Sequence, residues 1–191
     1  MIVKKAPVLL DDCYFGMSKA DVVTRSHAVP CKDKIYALCG AAGFIGDQWQ
    51  EIFIFNNQDE LKEIILSKPC DQPGIYRDVM AGLEKAGWLP VFLEEPESAH
   101  DIFAAKDRDS GKNAMPANSG APFTIHFLQG SLREKLLGKA AIKSYDDAIE
   151  KAGESVIVCS MMCGDGWLKL SFTAPILSRK DALRYGQMIR K

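Results

Sequence analysis

"IYALCGAAGFIGDQWQEIFIF" (residues 35–55) decides how this chain is built. Gly40, Gly43 and Gly46 have the spacing of a loop that cradles a phosphate. Such a loop must open a helix whose first amides face the anion, and that helix carries the chain back to a parallel strand. The crossover takes about a dozen residues. Here only Asp47-Gln48-Trp49-Gln50 separate Gly46 from the strand-like run Glu51-Ile52-Phe53-Ile54-Phe55. No helix fits. The stretch therefore reads as two antiparallel strands joined by a glycine-rich hairpin connection.

Further strands follow from β-branched and aromatic content between turn residues: 34–39, 51–55, 61–66, 88–94, 122–128, 155–162 and 167–173. The clearest pair is "VIVCSMMCGDGWLKLSF" (156–172), where Gly164-Asp165-Gly166 makes the turn. Leu168, Leu170 and Phe172 alternate there with Lys169 and Ser171, so this sheet has one wet face. "ELKEIIL" (60–66) also fits a helix capped by Asn57; the strand reading is preferred.

Helix starts are marked by Ser-x-x-Asp/Glu, in which the serine oxygen accepts an amide of the first turn. The pattern occurs at Ser18–Asp21, Ser98–Asp101, Ser131–Glu134, Ser144–Asp147 and Ser178–Asp181. Another helix begins near Pro73, presents Ile75, Tyr76, Val79, Met80 and Leu83 on one face, and ends at Gly87. Glu-Lys-Ala-Gly recurs at 84–87 and 150–153 and reads as a common helix ending rather than a repeat. The expected class is α+β: largely antiparallel sheet flanked by several short capped helices. "KDRDSGKNAMPANSGAP" (106–122) is poor in apolar residues, so 106–120 reads as a mobile loop or linker between lobes 1–105 and 121–191, or within one compact domain.

The chain has 191 residues, 47% hydrophobic and 26% charged, with a net charge of -1. It can bury a core, and without a basic stripe it is not expected to bind nucleic acid. No apolar run reaches the roughly 20 residues of a membrane span, and the N-terminus lacks the apolar segment of a signal peptide. A cytoplasmic location follows from the chain as written; an envelope or periplasmic one follows if a leader is removed before Met1. The six cysteines are expected to be mostly buried reduced thiols, with disulfides or a metal or redox site as the alternatives. Cys159 and Cys163, four apart on one strand, stand about 13 Å apart and cannot bridge each other.

Residues able to do chemistry are few. His126, in "PFTIHFL", faces away from Phe123, Ile125 and Phe127, as a sheet-surface or partly buried side chain. Ser98, His100 and Asp101 list the members of a triad, but residues so close on one helix start cannot align as nucleophile, base and orienter. His27 closes the first helix. The acidic edge from Glu94 through Glu95 and Glu97 to Asp101, beside the 106–120 segment, is the place to look for a metal or a basic partner.

Two local resemblances bear on these readings. Gly40 to Gly46, with Phe44-Ile45 before the last glycine, resembles the glycine loop of extended short-chain dehydrogenases and sugar-nucleotide epimerases. That family's downstream Tyr-x-x-x-Lys pair has no counterpart, since Tyr14, Tyr36, Tyr76, Tyr145 and Tyr185 are followed four residues on by Ser18, Gly40, Met80, Ile149 and Ile189. Separately, "FGMSKADVV" (15–23) followed by strands 35–39, 51–55 and 61–66 resembles the helix-plus-meander domains of β-lactamase-inhibitor-like proteins and small outer-membrane-assembly lipoproteins, with Gly16-Met17-Ser18 and Val22 in place. That resemblance implies protein binding through a sheet face or loops, and no catalytic residues.

The expected function is thus a non-enzymatic protein-interaction module. No catalytic, cofactor or metal residues are assigned, and Trp49, Trp88, Trp167 and the 106–121 segment are the partner-contact candidates. The alternative is a small hydrolase or transferase with a site at His126 or at the acidic 94–101 edge.

Overall fold

In the computed structural model the glycine stretch is a two-residue hairpin. Strand β2 (Ala37–Phe44) pairs antiparallel with β3 (Asp47–Phe55), with Ala42 opposite Trp49 and Phe44 opposite Asp47. Ile45 and Gly46 make the turn, both with positive φ (51° and 78°), the twist that continues into right-handed strands. The structure describes residues 12–32, 34, 36–70, 74–95, 98–101, 122–129, 156–175 and 177.

Gly40 and Gly43 lie inside β2 rather than in a turn. A Cβ on Gly40 would come 3.5 Å from the nearest Glu51 carboxylate oxygen, and one on Gly43 would come 3.8 Å from Gln48 Nε2, both ordinary contacts. Of the three glycines, only Gly46 is demanded by its backbone conformation.

The chain forms two compact units, residues 1–66 with 172–191, and residues 67–171. The compositional change at 106–120, where lobes 1–105 and 121–191 were expected to part, falls within the second unit's span and outside the described residues.

The first unit opens with α1 (Lys19–Ser26). Ser18 Oγ accepts from the Asp21 amide at 3.2 Å and donates to the Asp21 carboxylate at 2.7 Å. His27 closes the helix in the left-handed conformation, its N–H donating to the Val23 carbonyl. The short β1 (Val29–Pro30) follows, with Val29 opposite Cys39 on β2. Then come β2, β3 and β4 (Leu61–Pro69), the last as far as Leu66 in this unit, in the hydrogen-bonded order β1-β2-β3-β4. Met17, Val22, Leu38, Trp49, Phe53, Phe55, Leu61 and Ile64 are buried in this unit. Each large side chain taken fully out of water contributes about 1.5–3 kcal/mol.

The second unit carries α2 (Ile75–Lys85), β5 (Trp88–Glu95), β6 (Ser98–Asp101), β7 (Phe123–Gln129), β8 (Val158–Gly164) and most of β9 (Trp167–Thr173). The order from β9 is β9-β8-β7-β5-β6. The β5–β6, β5–β7 and β7–β8 pairs are antiparallel. The face of α2 expected from its spacing, Ile75, Tyr76, Val79, Met80 and Leu83, is the buried one, and Tyr76 meets Phe123 edge-on at 5.3 Å. Gly87, at φ 88°, follows the helix end. That contact fixes which side of β7 is core: Phe123, Ile125 and Phe127 are buried there.

Several expectations need correcting. Antiparallel sheet dominates, and the described residues contain two helices, of which α1 has the expected serine cap. Ser98–Asp101 is strand β6, not a helix start: two residues after β5 it folds back, with Glu95 opposite Ser98 and Phe92 opposite Asp101. Ladder bonds to β5 satisfy backbone groups that a serine cap would otherwise have served. The starts at Ser131, Ser144 and Ser178, and the Glu-Lys-Ala-Gly at 150–153, lie outside the described residues. The strand at 61–66 is present and continues to Pro69.

The expectation of reduced thiols fails at Cys31 and Cys39, which form a disulfide with Cα atoms 5.1 Å apart. The cause is the antiparallel return of β2 along β1, which brings Cys39 opposite Val29, two residues before Cys31. Cys159 and Cys163 both lie on β8 and do not bridge each other.

Candidate functional site

The site is built on one face of the second unit, opposite the Phe123 side. Strand alternation places Thr124, His126 and Leu128 of β7 on this face. Register adds the residues beside them: Phe92 and Ser160 stand directly across from His126, and Met162 stands across from Thr124. Glu94, opposite Thr124, is one step along β5.

The β8–β9 turn extends the same face. Asp165 and Gly166 have φ 53° and 74°, so a two-residue turn sets Gly164 opposite Trp167 and Met162 opposite Lys169. Trp167 and Lys169 are exposed while Leu168, Leu170 and Phe172 are buried, the one wet face anticipated from the alternation.

Burial grades along this face. Leu128 and Val158 are fully covered, His126 is 6% exposed and Phe92 is buried. Further along, Met162 (49%) and Trp167 (38%) stand open beside exposed Glu94 and Lys169.

His126 sits at the boundary. Its Nδ1 is 2.9 Å from Ser160 Oγ, its Nε2 is 3.2 Å from a Glu94 carboxylate oxygen, and its ring lies 6.5 Å from that of Phe92. A hydroxyl, an imidazole and a carboxylate thus stand in a row across β8, β7 and β5, hydrogen-bonded at the Ser160 end and at ion-pair distance, without hydrogen-bond alignment, at the Glu94 end. The Ser160 hydroxyl satisfies one ring nitrogen of a histidine that the fold has buried, whereas passing a proton on to Glu94 requires the carboxylate to move into line with Nε2.

The placement of the other candidates differs. Trp49 is 2% exposed, in the first unit, with its indole N–H donating to the Phe44 carbonyl at 2.8 Å. Trp88 is buried at the start of β5. Trp167 alone of the three has an open face. Of the acidic edge, Glu94 joins His126, while the β6 backbone sets His100 opposite Leu93 and Asp101 opposite Phe92. The 106–121 segment lies outside the described residues.

Ser160 escaped the sequence reading altogether. Its one available signal was its phase on β8, shared with Met162 and opposite to that of buried Cys159 and Met161. The described residues hold no cluster of three or more His, Cys, Asp or Glu suited to a metal, and no helix among them is long and apolar enough to cross a membrane.

Burial drives the Cys159 thiol well above its ordinary pKa, because an apolar surrounding disfavours the thiolate. This places it on the core side of β8, behind the candidate face. No protein-family model, curated protein or solved structure matches the chain.

Proposed function

We propose that the chain is a non-enzymatic protein-interaction module whose contact surface is the open part of the β7–β8–β9 face. The observation that carries this reading is the pairing of exposed Trp167 and Met162 on one face, flanked by Lys169 and Glu94. Tryptophan and methionine are enriched where proteins meet, and charges of both signs at the margin suit a polar rim. An antiparallel sheet face without an enclosing wall among the described residues also suits docking better than it suits enclosing a small substrate. The order of α1, β2, β3 and β4 in the first unit is in keeping with the helix-plus-meander resemblance, which points to binding as well.

A second reading, a small hydrolase, draws on the Glu94–His126–Ser160 chain. Against it, Ser160 lies within a paired strand, where backbone N–H groups are engaged in the ladder and are not free to hold an oxyanion. The two readings separate with a fluorophosphonate probe and a capture assay. The interaction reading predicts no covalent labelling of Ser160. It also predicts a protein partner retained by the wild type and lost from Trp167→Ala/Met162→Ala, a double variant that keeps its circular dichroism spectrum. Stoichiometric labelling that disappears in Ser160→Ala would establish the hydrolase instead.

A further inference from the structure

Behind the candidate face, two half-buried cysteines distant in sequence meet. Cys70 Sγ lies 3.3 Å from Cys163 Sγ, across a separation of 93 residues. Both ends are held in place. The Cys70 N–H donates to the Gly166 carbonyl at 2.8 Å, tying the residue that follows β4 to the β8–β9 turn within the second unit. Cys163 is in the β8 ladder opposite Phe123. Its neighbour Gly164 is pressed so close to Pro122 that a Cβ there would stand 2.9 Å from the proline Cβ. The backbones that carry the two thiols are thus both anchored.

We propose that Cys70 and Cys163 form a redox-active dithiol that exchanges with low-molecular-weight disulfides such as glutathione disulfide. A sulfur–sulfur bond requires the two atoms to close by about 1.2 Å, to roughly 2.05 Å. One thiolate attacks a sulfur of glutathione disulfide, forming a mixed disulfide and releasing one glutathione thiolate. The second protein thiolate attacks the protein-bound sulfur of that mixed disulfide and expels the other glutathione. Two electrons pass from the protein dithiol to glutathione disulfide, and the two thiol protons end on two glutathione thiols. The second step is favoured because it is intramolecular, the resolving sulfur standing 3.3 Å away at the outset.

The other cysteines outside the disulfide differ in access. Cys13 and Cys159 are fully buried, so a soluble disulfide cannot reach them in the native state. Burial first, and then the hydrogen bond and charge interaction with Cys70, raise the Cys163 thiol to about 11. Its thiolate is therefore scarce at neutral pH, and exchange is slow there and faster in alkali.

The test equilibrates the full chain with glutathione disulfide at pH 8.5, alkylates remaining thiols in acid, and maps linkages by non-reducing peptide mass spectrometry. The expected product is a Cys70–Cys163 linked peptide at least about tenfold more abundant than either cysteine carrying glutathione. Cys70→Ser should leave Cys163 carrying one glutathione, and Cys163→Ser should leave Cys70 carrying one. The wild type, but neither variant, should gain melting temperature on oxidation, because the cross-link restricts a long loop of the unfolded chain. Recovery of both cysteines as free alkylated thiols from natively folded protein, or with a separate glutathione on each, would overturn the proposal.

Discussion

The β2–β3 and β8–β9 hairpins are built on the same turn and put their tryptophans to opposite uses. Each turn has two residues with positive φ and glycine second: Ile45-Gly46 in one, Asp165-Gly166 in the other. Trp49 follows the first turn by three positions and shares its phase with Phe53 and Phe55, so it is buried. Trp167 follows the second turn immediately and shares its phase with Lys169 and Ser171, so it stays open. Parity, and not residue type, separates a core tryptophan from a surface one.

That contrast breaks most visibly on truncation. Trp49→Ala should lose about 3–5 kcal/mol of unfolding free energy, since it opens a large cavity and discards the bond to Phe44. Trp167→Ala should stay within about 0.5 kcal/mol of wild type, as expected of a surface change. Urea midpoints at unchanged slope measure both. Comparable losses at the two positions would mean that the phase assignment of one strand is wrong.

The turns provide the next test. Gly46→Ala and Gly166→Ala should each cost about 1–2 kcal/mol, because both glycines hold a left-handed backbone and neither has a neighbour within 4 Å of the new Cβ. Strain, not crowding, is then the only cost. Ile45 is a β-branched residue at positive φ, where the second hairpin has the better suited Asp165. Ile45→Asn should therefore raise the β2–β3 hairpin's contribution, by up to about 1 kcal/mol, while Asp165→Asn changes little. A fall in melting temperature for Ile45→Asn would show that the half-buried isoleucine side chain matters more than its backbone.

Alkaline pH should act on the second unit through β8. Burial raises Cys159 well above 9.0, and Cys163 rises from 9.0 to about 11. A raised thiol pKa means the folded state keeps its proton after the unfolded chain has lost it. The stability it contributes is thus complete below pH 9 and falls as the pH rises from there through the folded value, at up to about 1.4 kcal/mol per pH unit for a fully buried thiol. Chemical denaturation between pH 8 and pH 10.5 should show this decline, and Cys159→Ala should flatten it whatever its effect at pH 8. An unchanged slope in that variant would remove Cys159 from the account.

Much of this architecture was legible because it rests on local periodicity. The four residues after Gly46 excluded a crossover helix, alternation from Trp167 to Phe172 showed a wet face, and the spacing of Ile75, Tyr76, Val79, Met80 and Leu83 marked the buried side of α2. Ser98-x-x-Asp101 misled because a capping pattern and a short edge strand can be written with the same polar residues, and only pairing with Phe92–Glu95 decides between them. The chain Glu94–His126–Ser160 was only half visible. His126 could be assigned its face from the phase of Phe123, Ile125 and Phe127, but Ser160 is 34 residues away and becomes its neighbour through the β7–β8 register alone. Cys31 meets Cys39 through the β1–β2 register, and Cys70 meets Cys163 through a backbone bond to the β8–β9 turn; long-range contacts of this kind leave no trace in composition.

The central functional claim is that the open face around Trp167 and Met162 binds a protein, while the polar chain beneath it is structural. Quantitative affinity capture from native lysate, comparing wild type, Ser160→Ala and Trp167→Ala/Met162→Ala, tests it most directly. The account predicts one partner held equally by wild type and Ser160→Ala, and reduced at least about tenfold in the double variant, the loss expected when interface anchors worth some 1.4 kcal/mol or more are removed. Equal retention by the double variant would contradict it.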